Sequence, residues 1–162
     1  MDTMRSKLNK WVIGIVAVLL LIIVSGTIIF IRSNRPMQQA KEEAVDLAKQ
    51  YANLETMENF YWFNREETYF TVTGEDQSGK EIVVIIPKSG ENIQVLDAKD
   101  GLNEEAVIQQ MQTAHPEITV DKAALGKFKD QPVWEITGKD DQGAVSYYLF
   151  SFENGEEIQN VS

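Results

Sequence analysis

One histidine, no cysteine and 25 acidic side chains bound the chemistry open to this 162-residue chain. His115 stands directly before Pro116, where a helix is expected to end. A general base needs partners converging on it, and this position offers helix-end capping instead. Without cysteine there is no thiolate, no disulfide and none of the usual structural zinc sets. Asp76-Gln77-Ser78-Gly79 and Asp140-Asp141-Gln142-Gly143 have the composition of calcium loops. They lack the alternating ligands and closing Glu of an EF-hand, so they read as turns between strands. No phosphate-cradling glycine motif is present. The sequence therefore assigns no catalytic, cofactor-binding or metal-ligating residue and no small-molecule substrate, and the chain is expected not to be an enzyme.

Binding is the chemistry that the residue types do support. Phe60, Tyr61, Trp62 and Phe63 are consecutive aromatics in a strand-like segment. Neighbours on a strand point to opposite faces, so two of the four must leave any one core. The outer pair either packs on another part of the chain or docks a partner, since aromatic anchors dominate interface energetics. These four are the candidate partner-binding residues. Tyr147-Tyr148 poses the same question.

The elements that position them come from an internal repeat. Tyr69 to Gly79 reappears as Val133 to Gly143, and Ser89 to Gln94 reappears as Asn154 to Gln159. Self-similarity at a fixed period indicates two copies of one unit. The shared residues are turn glycines and apolar strand positions, with Phe70 and Trp134 equivalent. A helix from Pro36 carries Ala40, Ala44, Leu47, Ala48 and Tyr51 on one stripe and is expected to end near Met57 to Asn59. Strands are expected at 60–65, 68–73, 81–86 and 91–97. In the second copy Asn103 should cap a helix with Val107, Met111 and Ala114 on its buried face. Strands then follow over 118–128, 132–137, 144–152 and 156–161. The expected fold is α+β: an N-terminal transmembrane helix, then two tandem units over 36–98 and 102–162. Each unit is one helix on an antiparallel sheet of about four strands.

Charge and hydropathy set the surroundings. Residues 1–35 carry five Lys/Arg against Asp2, a balance of +4, which leaves −14 for residues 36–162 out of the net −10. An acidic body repels phosphate backbones, so nucleic acid is excluded as a partner. Trp11 to Ile31 is an uncharged apolar run that would extend roughly 30 Å as a helix, the thickness of a bilayer core. The expectation is a tail over 1–10 and an uncleaved single-pass anchor over 11–31 in the plasma membrane. The N-terminus would lie inside and the body would be extracytoplasmic.

The repeated pattern of an aromatic, Val or Ile two residues on, a glycine, an Asp and a second glycine resembles PepSY-like and cystatin-like domains. With Gly126-Lys127-Phe128-Lys129-Asp130-Gln131-Pro132-Val133-Trp134-Glu135-Ile136, the whole chain resembles the YpmB/TseB family of Gram-positive bacteria. That resemblance implies an extracytoplasmic, non-catalytic regulator of cell-wall (peptidoglycan) elongation that associates with a penicillin-binding protein. PepSY-like domains elsewhere resemble peptidase propeptides, which implies the alternative of a modulator of a membrane-associated peptidase.

Overall fold

The computed structural model describes the backbone of residues 2–161 and the side chains of residues 15–25 and 36–159. The chain divides into two compact units, Met1–Ala40 and Lys41–Ser162. The first is helical, part of α1 (Asp2–Ala52), and its apolar side chains from Ile15 to Val24 are exposed. Among the described residues no helix is long and apolar enough to cross a membrane. This corrects the expected transmembrane anchor over 11–31. It also corrects the single-pass plasma-membrane placement with the amino end inside and an extracytoplasmic body. Residues 11–14 and 26–31 of the apolar run, like the expected tail over 1–10, lie outside the residues whose side chains are described. The described stretch, 15–25, has a helical rise of about 16 Å, roughly half a bilayer core.

The second unit holds two four-stranded antiparallel sheets. The first has the order β1 (Leu54–Asn64), β2 (Thr68–Asp76), β3 (Glu81–Pro87), β4 (Gln94–Asp97). The other runs β5 (Thr119–Phe128), β6 (Gln131–Lys139), β7 (Val145–Ser151), β8 (Glu157–Val161). A 3-10 turn (Ala98–Asp100) and α2 (Glu104–Ala114) join them. Asn103 caps α2, its side chain accepting from the Ala106 amide at 2.9 Å. This removes one of the orphan donors at a helix start.

The C-terminal part of α1 buries Ala44 and Ala48, while Tyr51 is 59% exposed. Alanines let the helix axis approach the sheet closely, and Val45, Leu47 and Ala52 complete the contact. The helix stops at Ala52 rather than near Met57 because Asn53 adopts a left-handed φ of 51° and turns the chain straight into β1. On α2, Val107 and Met111 are buried and Ala114 is exposed, with Ile118 beyond the helix taking its place in the core.

The first sheet is covered on both sides. Val72, Ile82, Val84 and Ile86 meet Ala44 and Ala48 of α1. Tyr61, Phe63, Tyr69, Val83 and Ile85 join a second cluster with Val107, Met111, Leu125, Trp134 and Leu149 of the second copy. In β3, five successive residues from Ile82 to Ile86 are buried, the signature of a strand with no solvent face. The two copies therefore share a continuous core.

Candidate functional site

The repeat's chemistry lies in its turns. Asp76 Oδ1 accepts from the amides of Ser78 (2.8 Å) and Lys80 (3.0 Å). Asp140 Oδ1 accepts from those of Gln142 (2.9 Å) and Ala144 (2.8 Å). Gly79 and Gly143 close these hairpins at φ 78° and 82°. The Ser78 hydroxyl, then the Lys80 amide, hold the Asp76 carboxyl below its ordinary range. Both carboxylates thus serve as acceptors for hairpin backbone. Among the described residues no group of three or more His, Cys, Asp or Glu could hold a metal ion. His115 ends α2, its amide donating to the Met111 carbonyl at 2.8 Å. Its ring nitrogens lie 2.9 Å from Glu157 and 3.6 Å from Glu117, and the ring sits 4.5 Å from that of Tyr148.

The aromatic run splits between the two faces of the first sheet. Tyr61 and Phe63 are buried in the core shared with the second copy. The Tyr61 ring meets Trp134 edge-on at 5.1 Å, and its hydroxyl donates to Glu104 at 2.7 Å. Burial, and then that carboxylate, push the Tyr61 phenol far above its ordinary range. Phe63 fills the space over Gly126, where any Cβ would overlap the ring. Phe60 and Trp62 face the other way and are half-buried. Both contact the half-buried Phe70, Phe60 stacked at 6.2 Å and Trp62 edge-on at 5.1 Å. They form a three-ring ledge whose register is set by the pairings Phe60↔Val72 and Trp62↔Phe70. Tyr148 is buried and Tyr147 is 42% exposed.

Sequence reasoning passed over the groups that join the copies. Thr71 is fully buried in mid-strand and donates its hydroxyl to the Leu125 carbonyl at 2.7 Å. Trp134, the counterpart of Phe70, meets Tyr61 of the first copy with its ring while its Nε1 donates to the Leu102 carbonyl of its own copy at 2.8 Å. Arg65 Nε lies 3.8 Å from Glu135, and its guanidinium stands over the Phe128 ring at 5.3 Å. Burial raises the Glu135 carboxyl against the opposing pull of Arg65 and Lys122. A cavity of about 300 Å³ lies at this junction, with Tyr61, Leu125 and Trp134 among its walls and Glu58, Glu81, Glu104 and Glu105 around them. Thr71 carried the one available signal: a hydroxyl between Phe70 and Val72 in a β-rich run, facing away from both.

These features define a duplicated α+β protein, helix then four-stranded meander, whose copies are fused through one core. Residues 43–87 match the family model described as the cell wall elongation regulator TseB-like domain, the family that the sequence resembles. It is 21% identical over 160 residues to a Bacillus subtilis (strain 168) protein named "Probable cell wall elongation regulator TseB", covering 98% of this chain and 99% of that one. The solved structure of the YpmB protein from Bacillus subtilis has the same fold, with a TM-score of 0.64 and 23% identity over 75% of this chain and 95% of that one.

Proposed function

We propose that this chain is a non-catalytic regulator of cell-wall (peptidoglycan) elongation that works by binding a penicillin-binding protein. In this reading the segments 36–98 and 102–162 are the two duplicated units, and the contact surface is the outward half of the aromatic run. The observation that carries the proposal is the ledge of Phe60, Trp62 and Phe70, three half-buried rings held in register by β1 and β2. Rings fixed in this way lose little conformational entropy on docking, which is what makes aromatic anchors effective at interfaces. The TseB-like match over residues 43–87 contains all three positions.

The test is a Phe60→Ser/Trp62→Ser double variant of the full-length protein, with its unfolding midpoint compared first with that of the parent. Association with purified penicillin-binding proteins is then measured. Loss of the anchors is expected to cost about 2 kcal/mol or more, roughly thirtyfold in Kd. Unchanged affinity in a folded variant removes the ledge as the contact surface. If no penicillin-binding protein co-purifies with the parent and its deletion leaves elongation unchanged, the regulatory reading falls. Capture of a peptidase in its place would favour the propeptide-like alternative.

A further inference from the structure

The two sheets end in β4 and β8, each of which, among the described residues, has a ladder partner on one side only. A groove of about 650 Å³ lies between them, within the usual range for binding clefts. Gln94 and Leu96 of β4 and Asp100 line one side, and Glu153, Glu156 and Ile158 line the other. An unpaired strand edge presents alternating amide donors and carbonyl acceptors to any extended chain laid alongside it. We infer that β4 is a strand-addition site, and that its occupant is an extended segment of a partner protein carrying Lys or Arg at spaced positions.

Charge selects this occupant from the alternatives. Among the described residues no cationic side chain lines the groove. Asp100, Glu153 and Glu156 enter none of the ion pairs formed among the described residues. A second copy of the chain would bring a body of charge −14 against them, and like charges in juxtaposition are strongly disfavoured. A metal ion needs its ligands gathered within bonding reach, whereas no group of three or more acids is close enough to hold one among the described residues. Spread carboxylates beside a free edge suit cations that are themselves spread along a strand. The four residues of β4 cover about 13 Å of such a strand, with apolar contacts from Leu96 and Ile158 between the charges. This surface is separate from the aromatic ledge, and the inference does not depend on that ledge binding anything.

The test uses full-length protein and a fluorescent octapeptide of alternating Val and Lys, followed by anisotropy. A Val/Glu octapeptide of the same length is the charge control. Two further Val/Lys peptides carry N-methyl groups on one or the other set of alternate amides, which blocks one edge of the strand and leaves the charge unchanged. The inference expects the Val/Lys peptide to bind at least tenfold more tightly than Val/Glu. It also expects one of the two N-methylated peptides to lose that binding. The Asp100→Asn/Glu153→Gln/Glu156→Gln variant, altered only at exposed or half-buried polar positions, should bind at least tenfold more weakly. No binding of the Val/Lys peptide overturns the inference. Equal binding by both N-methylated peptides overturns it too, because attachment would then rest on charge alone. An unchanged triple variant overturns it by placing the peptide elsewhere.

Discussion

Trp134 and Phe70 occupy the same place in the two copies but not the same environment. Trp134 is 2% exposed and holds a hydrogen bond to the Leu102 carbonyl, while Phe70 is half-buried on the side of α1. Trp134→Ala should therefore cost about 3–5 kcal/mol, as fully buried aromatic truncations do. Phe70→Ala should cost visibly less, and paired denaturant titrations of full-length variants would measure the difference. Ionisation supplies a second residue-scale prediction. Burial, then a hydrogen bond to Glu67, push the Tyr69 phenol up to about 12, and Tyr61 is raised further by burial and Glu104. In the unfolded chain tyrosine loses its proton near pH 10. Above that pH the unfolded state binds fewer protons than the native one, so stability falls as pH rises. Denaturant midpoints between pH 9 and 12 should decline in the parent, and Tyr61→Phe/Tyr69→Phe should flatten the decline.

At the scale of elements, the repeat's glycine is a device for bending an edge strand. Gly74 and Gly138 each face an irregularity in the neighbouring strand, near Thr56–Met57 in β1 and near Val120–Lys122 in β5. A Cβ at Gly74 would overlap the Thr56 carbonyl oxygen, and one at Gly138 would overlap Ile118. Such bulges increase twist and re-aim the strand. Gly74→Ala and Gly138→Ala should each destabilise by about 1–3 kcal/mol or more, the usual result of forcing atoms into a packed site. Thermal denaturation would show it. The glycines, the Asp-based turns and the Asn103 cap were readable because local backbone chemistry fixes them. The end of α1 was not, because Leu54 to Asn59 offers no strand alternation and the stop depends on Asn53 taking a left-handed conformation. Burial on both faces was written in Ile82-Val83-Val84-Ile85-Ile86, an unbroken apolar run. The neighbours of the inward pair of the aromatic site, Tyr61 and Phe63, were not legible in the same way. Their partners Trp134 and Gly126 lie more than sixty residues away, and no local pattern specifies such a pairing.

For the molecule as a whole, the shared core makes the duplicated body one cooperative structure. Side chains of both copies meet in a single cluster, and the Thr71 hydroxyl crosses from one sheet to the Leu125 backbone of the other. Unfolding of residues 41–162 should thus appear as one transition, with far-UV circular dichroism coincident with fluorescence from Trp62 and Trp134 in a Trp11→Phe background. Thr71→Val leaves a buried carbonyl without its partner, which costs about 1–3 kcal/mol. It should shift both signals together, and two separated transitions would show independently stable copies.

The left-handed residue at the end of α1 has a mechanical consequence. Only Asn53 separates Ala52 from Leu54, so tension applied to the Lys41–Ala52 portion passes into β1 with no slack segment to absorb it. β1 is held to β2 at nine paired positions and lies against the second copy through Tyr61 and Phe63. A pull directed along that strand loads its rungs together in shear, so the strand bearing Phe60 and Trp62 takes whatever force the packing of Ala44 and Ala48 on the sheet does not hold.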